Sequence, residues 1–520
     1  MIKNKIRFFN TTGPCNPQDH YMLPPEDRLV GAQLKRYIED KLYWVLHAPR
    51  QTGKTTFLHS WMKEINSKDE AIACYVSLER CQGIEEPQKA IAEICEAIKI
   101  TAQKYGLPVP NVNTNLPNSM LNEILFNWAK IISPKPLVVL FDEVDVLVGD
   151  AMISFLRQMR DGFATRGVGL FPTSIALVGM RDLKDYITMA KDGKPVNPGS
   201  PFNIKADSAV LGNFHKDDIG KLFAQRAQET GQKITQEALD FVYEQSKGQP
   251  WLVNSLFMRA TLRILNEDSK ETVTIEHIKQ AREQMILARE THLDALAYRL
   301  QDERIKKVIE TLMTGKPDIA LAQSEGFRLC IDLGLVSLEG GTPQVSNPIY
   351  REVLAREITY GMQYAIVKPE WKWEKDDGTL DMDTLLQEFQ KFWRANADIW
   401  EQQSDYIEAF PHLLLQAFLQ RVLNGGGHID REYAAGRGRM DLRVEYKEKS
   451  YIIEVKMIRD YNNFEIVKEE GLKQIKKYRD SVAPQAPSYL LIFDRRTESK
   501  KASWQERISW TDTDGIAVLG

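Results

Sequence analysis

Short apolar runs alternate with longer amphipathic stretches along the first 180 residues of the chain. The apolar runs predict strands that begin at 42 and lie at 71–77, 136–145 and 174–180. The amphipathic stretches predict helices that begin near 54 and lie at 87–104, 120–132 and 151–161. Because these strands are apolar throughout rather than alternating, they indicate a parallel sheet that helices cover on both faces.

Beyond this region the pattern changes several times. Residues 181–210 are loop-like in composition, and helical periodicity then dominates from 216 to 310. At 321–357 the pattern predicts a helix, a short hairpin around Gly340 and Gly341, and a second helix. That order suits a winged-helix module.

The last 160 residues predict a separate folded region. Residues 366–400 carry four tryptophans among charged residues and indicate a packed connector. From about 405 the pattern predicts a helix at 409–423, a Gly-rich turn at 425–427, paired strands at 440–446 and 450–456, a helix at 464–480 and a strand at 489–494.

Composition narrows the class of protein to which these elements belong. The 520 residues are 43% hydrophobic and 27% charged, as in an ordinary multidomain globular protein. The net charge of −4 means that any nucleic-acid site must be a local patch. The five cysteines form no CxxC pair, and neither a secretory signal nor a membrane-spanning run is evident. We therefore expect a cytoplasmic protein without a membrane partner.

The segment that follows the first predicted strand nearly matches the phosphate-binding pattern GxxxxGK(S/T), with Ala48 in place of the first glycine. In such a loop the backbone N–H groups point at the phosphates, Lys54 meets the β- and γ-phosphate oxygens, and the hydroxyl of Thr55 reaches Mg²⁺. The helix that follows directs its positive dipole end at the same anion. The residues that we predict to bind ATP in this loop are Pro49, Gln51, Thr52, Gly53, Lys54, Thr55 and Thr56.

Two carboxylates, Asp142 and Glu143, end the apolar run at 136–145. The carboxyl edge of a parallel sheet is the place where ligands bind in open α/β folds. We predict that Asp142, together with Thr55, holds Mg²⁺ and that Glu143 orients the water that attacks the γ-phosphate.

A second set of candidate residues lies in the paired strands near the C-terminus. Strand alternation places Glu454 and Lys456 on one face, and the hairpin brings Asp441 near them. The two carboxylates and the backbone carbonyl of Val455 form an oxygen-rich set that suits Mg²⁺. Lys456 can position or deprotonate a water, while the metal stabilises charge on the phosphate.

The nucleotide motifs resemble those of P-loop NTPases of the AAA+/STAND kind over roughly residues 20–360. The segment 248–254 looks like the start of their lid helix, and 346–357 looks like the winged-helix end of a bacterial AAA-like ATPase family. This resemblance implies that Arg181, at the end of the strand at 174–180, senses the γ-phosphate. It also implies a homo-oligomer in which an arginine of one subunit reaches the nucleotide of its neighbour; the candidates are Arg157, Arg160 and Arg166. The alternative is that these arginines are only solvated residues on the face of their helix.

The C-terminal set resembles the PD-(D/E)XK nuclease superfamily over about residues 405–500. Met440 stands at the position where the motif that names this superfamily has a proline. Gln474 and Tyr478 look like the QxxxY element of RecB-type members, and their spacing puts both on one helix face. Glu408 stands where many such nucleases keep an acid. The catalytic residues that the resemblance implies are Asp441, Glu454, Lys456, Gln474 and Glu408.

The predicted architecture is an α/β P-loop NTPase with a parallel sheet, a helical lid and a winged helix, followed by a PD-(D/E)XK nuclease α/β domain. The predicted boundaries are 1–210 for the core, 211–295 for the lid, 296–362 for the winged helix, 363–404 for the connector and 405–520 for the nuclease.

This architecture predicts that ATP binding or hydrolysis controls a Mg²⁺-dependent nuclease that cuts nucleic acid. We favour DNA over RNA as the substrate, although no residue in the sequence distinguishes the two. The resemblance implies a role in prokaryotic genome defence or in the control of mobile elements. Two alternatives stay open at this point. The chain could be a nucleotide-switched sensor or scaffold whose nuclease fold binds nucleic acid without cutting, or its nuclease could cut RNA, since phosphodiester hydrolysis needs the same groups.

Overall fold

The computed structural model of the chain forms two compact units, one of residues 1–296 with 319–351 and one of residues 297–318 with 352–520. The structure describes residues 6–112, 116, 118–166, 170–180, 204–288, 291–313, 319–365, 373–403, 414–416, 418–419, 427–435, 438–447, 449–458, 463–481, 484–494, 509–513 and 515–519. Within these residues, no helix combines the length and the apolar character that crossing a membrane requires.

The first unit is built on a six-stranded sheet with the order β1-β6-β2-β5-β4-β3. Neighbouring strands run parallel, except that β1 pairs antiparallel with β6. The strands are β1 (Leu29–Val30), β2 (Tyr43–His47), β3 (Ile72–Ser77), β4 (Leu137–Asp142), β5 (Ser174–Gly179) and β6 (Lys205–Leu211). The parallel sheet that the apolar runs indicated is confirmed.

Helices cover this sheet on both faces. They are α1 (Leu34–Glu39), α2 (Lys54–Lys68), α3 (Pro87–Lys104), α4 (Met120–Ile132) and α5 (Gly149–Thr165). Successive residues of β4 face opposite cores: Val139 packs in the core with α3, α4 and α5, whereas Val138 and Leu140 pack in the core with α1 and α2. Burial on both faces explains why the strand is apolar throughout.

Strand β6 corrects the prediction that 181–210 is a loop, since 205–211 forms a strand between β1 and β2. Residues 181–203 lie outside the described part of the chain. The sequence signal was weak because only the second half of β6 is apolar. Its first half contains Asp207, whose carboxylate accepts a hydrogen bond from the Tyr37 hydroxyl at 2.7 Å.

Helices follow the sheet along the chain, as predicted for 216–310. They are α6 (Lys216–Thr230), α7 (Gln236–Ser246), α8 (Pro250–Met258), α9 (Ile275–Leu287), α10 (Thr291–Arg299), α11 (Glu303–Met313), α12 (Ile319–Gln323), α13 (Glu325–Asp332) and α14 (Pro348–Ala365). Between α13 and α14 lies the hairpin of β7 (Val336–Glu339) and β8 (Thr342–Val345). Its turn residues, Gly340 and Gly341, have φ of +57° and +83°, which a tight hairpin turn requires and glycine adopts without strain.

The second unit contains a six-stranded sheet with the order β13-β14-β12-β11-β10-β9. The strands are β9 (Gly427–Ala435), β10 (Gly438–Tyr446), β11 (Lys449–Ile458), β12 (Ser488–Asp494), β13 (Trp510–Thr513) and β14 (Ile516–Leu519). The helices beside them are α15 (Met382–Gln403) and α16 (Phe464–Ser481). The predicted strands correspond to β10, β11 and β12. Strands β9, β13 and β14 were missed because β9 is rich in polar residues and the other two are only four residues long.

Helix α15 packs on one face of this second sheet. Leu385, Leu386 and Phe389 share a core with Val444 and with other apolar residues of β10, β11 and β12. The Tyr489 hydroxyl also donates to Asp383 Oδ1 at 2.8 Å. The described part of the tryptophan-rich segment therefore packs within this unit, and Trp373 and Trp393 contact the same core.

Candidate functional site

The loop between β2 and α2 is held in a tight turn by its own side chains. Gly53 has a φ of +94°, and the Thr52 hydroxyl donates to the Pro49 carbonyl at 2.9 Å. The Lys54 ammonium donates to the carbonyls of Ala48 and Pro49 at 2.8 and 2.9 Å. Burial lowers the pKa of Lys54 to about 8, although Asp142 and Asp145 act in the opposite direction. This loop places a cation and the N-terminus of α2 together, which is the arrangement that binds phosphate.

The predicted metal ligands of this loop meet at the carboxyl edge of the sheet. The Thr55 hydroxyl donates to Asp142 Oδ2 at 2.7 Å, and the Tyr75 hydroxyl donates to the same oxygen at 3.1 Å. Asp142 is only 1% exposed. A buried carboxylate beside a hydroxyl is a set of hard oxygen donors that fits Mg²⁺. When bound, that ion neutralises charge on the phosphates of the nucleotide.

Glu143 lies just past the end of β4 in a strained backbone conformation. Its φ of +58° is in the left-handed region, which a residue other than glycine adopts at a cost. Burial, followed by the negative charges of Glu79 and Asp142, raises the pKa of Glu143 to about 7. Its Oε2 is buried and has no hydrogen-bond partner among the residues that the structure describes. Such an oxygen is available to accept a hydrogen bond from water.

Sequence reasoning missed several residues that hold the loop in place from distant parts of the chain. The buried guanidinium of Arg28 donates to the Thr52 carbonyl at 2.9 Å and to the Gly212 carbonyl at 2.8 Å. The backbone N–H of Cys15 donates to the Thr56 hydroxyl at 3.0 Å. No motif marks these residues, since their role depends on contacts that only the folded chain forms.

The candidate arginines have different environments. Arg157 and Arg160 are exposed on α5, whereas Arg166 donates to the Lys41 carbonyl at 2.6 Å and lies 3.8 Å from the centroid of the Phe163 ring. Arg166 is therefore engaged within its own chain. The γ-phosphate sensor that we predicted, Arg181, lies outside the described residues.

In the second unit, β11 carries the predicted glutamate and lysine on one face, as strand alternation required. The Lys456 ammonium lies 2.7 Å from Glu454 Oε1. Glu454 is 1% exposed, so this carboxylate is held in a fixed position by its surroundings. A buried carboxylate next to a cation can hold a metal ion and place a water for attack on a phosphodiester.

Helix α16 packs against β11 and β12 through residues that include Ile475, Ile458 and Leu490. Gln474 on this helix has a buried Oε1 with no hydrogen-bond partner in the described part of the chain, and Tyr478 is 2% exposed. The two residues are one helical turn apart, as the spacing predicted.

Of the remaining candidate residues of the nuclease site, two lie in described strands and one does not. Asp441 lies in β10, and the pairing of Leu442 with Ile453 brings the backbone of Asp441 beside that of Glu454. Val455, whose carbonyl is the third predicted metal ligand, follows Glu454 in β11. Glu408 lies outside the described residues.

Comparison with known families assigns both parts of the chain. The family described as AAA-like domain matches residues 42–356, which is more than half of the chain. The chain belongs to this AAA-like family. Residues 407–492 match the PD-(D/E)XK nuclease superfamily. The predicted combination of a P-loop ATPase and a nuclease in one chain is therefore confirmed at the level of these families.

Individual relatives are distant. The ribose import ATP-binding protein RbsA 3 of Rhizobium meliloti (strain 1021) is 28% identical over 112 residues, which are 22% of this chain and 22% of that protein. The chain thus spans about a fifth of the length of this relative. Among solved structures, a Walker-type ATPase of Pyrococcus abyssi is 16% identical with a TM-score of 0.48, covering 66% of this chain and 99% of that one. The RuvB Holliday junction branch migration motor of Thermotoga maritima is 15% identical with a TM-score of 0.34, covering 62% and 90%.

Proposed function

We propose that the nucleotide state of the ATP site controls a Mg²⁺-dependent nuclease that cuts DNA. The observation that carries this proposal is that one chain contains two sites, each with a buried carboxylate that suits the hydrolysis of a phosphate bond. Thr55 meets Asp142 at the first site, and Lys456 meets Glu454 at the second. Each pair suits hydrolysis of a phosphate bond, and a single chain that carries both can make one reaction depend on the other.

Charge near the second site supports nucleic acid as the substrate. Lys473 and Lys477 are exposed on α16, the helix that also carries Gln474. Cations along one helix can follow a phosphate backbone. Arg443 on β10 contributes less to this charge, because its guanidinium pairs with Glu445 at 2.5 Å and donates to the Ser450 hydroxyl at 3.0 Å.

A contact within the first unit supports control by nucleotide. Gly334, in the turn between α13 and β7, has a φ of +72° and lies against Pro49 of the phosphate-binding loop. A Cβ at Gly334 would lie 2.7 Å from the Pro49 Cβ and Cγ atoms. The helix–hairpin–helix segment that we propose to be a winged helix therefore touches the loop that binds phosphate, so a change in the loop can displace it.

The first test compares nucleotide states. We expect Mg²⁺-dependent cutting by the full chain to change several-fold between ATP, ADP and no nucleotide, because the phosphate-binding loop differs in charge and contacts among them. The substrates are plasmid, linear and single-stranded DNA and RNA, and the measurement is the rate of product formation. The Lys54→Ala variant serves as the control, since its cutting should not respond to ATP.

The outcomes separate the proposal from its alternatives. Equal cutting in all three nucleotide states would contradict control by nucleotide. Binding of nucleic acid without any cutting would favour the sensor or scaffold function. Cutting of RNA but not DNA would favour an RNA nuclease.

The second test compares two glycines that both have a positive φ. Gly334→Ala and Gly340→Ala both place a methyl group at a positive φ, but only the first forces it into Pro49, because a Cβ at Gly340 meets nothing within 4 Å. We expect Gly334→Ala to weaken ATP binding about tenfold, a loss of roughly 1.4 kcal/mol, and Gly340→Ala to leave it unchanged. Calorimetric titration with ATP measures both. Equal affinities in the two variants would show that the contact does not affect the loop.

The proposal also covers the cellular compartment, the biological role and the oligomeric state of the protein. We propose a cytoplasmic ATP-controlled nuclease in prokaryotic genome defence or mobile-element control, with the domain boundaries given above. The five cysteines are free, and four of them are buried, as suits a reducing compartment. A homo-oligomer through Arg157 or Arg160 stays a prediction.

A further inference from the structure

Arg50 occupies the apex of the phosphate-binding loop, and residues on both sides of it are fixed by other parts of the first unit. On one side, Pro49 lies against Gly334. On the other side, the Gln51 carbonyl accepts a hydrogen bond from Gln249 Nε2 at 3.4 Å, and Gln51 has a φ of +58°. These contacts set the direction in which the chain leaves the apex at Arg50.

The side chain of Arg50 is exposed, and it forms no hydrogen bond or ion pair with any residue in the described part of the chain. This differs from Arg28, whose guanidinium holds two backbone carbonyls. An arginine that neither packs nor pairs contributes little to the stability of the loop. Its position beside the phosphate site therefore calls for a different explanation.

Residues of the ATP site lie close to Arg50 in the folded chain. The carbonyl of Pro49, the residue before Arg50, accepts a hydrogen bond from the Lys54 ammonium at 2.9 Å. Burial is the main cause of the pKa shifts of Glu143 and Lys54, and the positive charge of Arg50 lowers the pKa of both. Arg50 therefore lies within electrostatic range of the predicted water-orienting carboxylate and of the predicted phosphate-binding ammonium. Because Arg50 belongs to the loop that holds the phosphates, its long side chain can reach the γ-phosphate of a bound nucleotide.

We propose that Arg50 stabilises, within its own subunit, the negative charge that develops on the phosphate oxygens during ATP hydrolysis. In this step the water oxygen bonds to the γ-phosphorus while the bond from that phosphorus to the β–γ bridging oxygen breaks. The electron pair of the broken bond moves to the β-phosphate, and a proton of the water passes toward Glu143. The planar, permanently charged guanidinium of Arg50 can donate two hydrogen bonds to the oxygens that gain charge. The inference rests on the ATP site proposed above.

The first experiment separates stabilisation of the transition state from binding of the ground state. We expect Arg50→Ala to lower kcat for ATP hydrolysis roughly 10²-fold while the Kd for ATP and for ADP changes little, because the charge acts mainly in the transition state. Binding of ADP with aluminium fluoride and Mg²⁺, a mimic of the transition state, should weaken strongly. Arg50→Lys should recover part of both losses, since it keeps the charge without the planar fork.

The control is Arg36→Ala, which removes an exposed arginine of α1 whose guanidinium contacts Gln33 and Asp40 at the two ends of the same helix. It should leave kcat, nucleotide affinity and the affinity for the aluminium fluoride complex unchanged. An equal loss of affinity for ATP, ADP and the aluminium fluoride complex in Arg50→Ala would overturn the proposal, and so would an unchanged kcat. Failure of the ATP site itself would differ, because Lys54→Ala would then bind ATP as well as the wild type does.

The second experiment tests whether Arg50 acts in its own subunit. Arg50→Ala is mixed with Lys54→Ala, so that each active nucleotide loop lacks Arg50 and each intact Arg50 sits in an inactive loop. We expect the mixture to hydrolyse ATP no faster than Arg50→Ala alone. Recovery of activity on mixing would overturn action within the subunit. A large loss of kcat in Arg157→Ala or Arg160→Ala, with none in Arg50→Ala, would assign the role to an arginine from a neighbouring chain.

Discussion

Lys456→Ala is expected to reduce Mg²⁺-dependent cutting by roughly 10²–10⁴-fold, because it removes the group that positions or deprotonates the attacking water. The ammonium lies 2.7 Å from Glu454 Oε1, so it stands directly beside a proposed metal ligand. Lysine is not itself a metal ligand in this site, and Mg²⁺ affinity should therefore change little. The measurement is the single-turnover rate of nicking together with the Mg²⁺ concentration that gives half of the maximal rate.

The matched control for this variant is Lys449→Ala, which removes an exposed lysine from the first position of the same strand. Its rate should equal that of the wild type. Undiminished cutting by Lys456→Ala at equal thermal stability would mean that the nuclease site lies elsewhere in the chain or that a contaminant cuts the substrate.

The two carboxylates should respond differently from the lysine. Asp441→Ala and Glu454→Ala each remove a hard oxygen ligand and a negative charge, so both should raise the Mg²⁺ concentration that cutting requires. Gln474→Ala should cost less, because a neutral amide orients groups without carrying charge. Calcium should bind without supporting fast cutting, since its looser coordination positions the water poorly.

Glu143→Gln is expected to slow ATP hydrolysis by roughly 10²–10⁴-fold while ATP binding is preserved. The carboxylate has a buried oxygen that no described residue contacts with a hydrogen bond, and burial and nearby acids raise its pKa to about 7. Both properties suit a group that accepts a hydrogen bond from water. An amide of the same size keeps the packing but cannot take a proton. Steady-state hydrolysis and equilibrium binding of ATP measure the two effects separately.

Two further variants show whether the effect of Glu143→Gln on ATP hydrolysis is specific to Glu143. Lys54→Ala should lose ATP binding, because it removes the ammonium that meets the β- and γ-phosphates. Glu39→Gln, at an exposed position of α1, should change neither binding nor turnover. Equal turnover in the wild type and in Glu143→Gln would remove Glu143 from the reaction.

The sequence by itself determined the elements whose signal is local. Strands β2 to β5 were found because burial on both faces makes them apolar throughout, and most of the helices were found because their apolar residues recur with the helical period. Helix α1, only six residues long, was missed, and the sequence of α15 was interpreted as a connector. The phosphate-binding loop, Asp142, Glu143 and the Glu454–Lys456 pair were found because their chemistry requires fixed spacing within a few residues. Strand β6 was missed because half of it is polar, and short edge strands such as β13 carry too few residues for a pattern.

Only the tertiary structure decided which distant residues complete the ATP site. Thr55 and Asp142 are separated by 87 positions and meet because α2 begins beside the end of β4. Arg28 and Gly334 support the loop from outside any motif, and Gln249 does so from the segment that the sequence marked only as the start of the lid helix. That Arg50 has no hydrogen-bond partner among the described residues became visible only once its neighbours were placed. Such contacts arise from the packing of elements far apart in the chain, and no local period or spacing in the sequence records them.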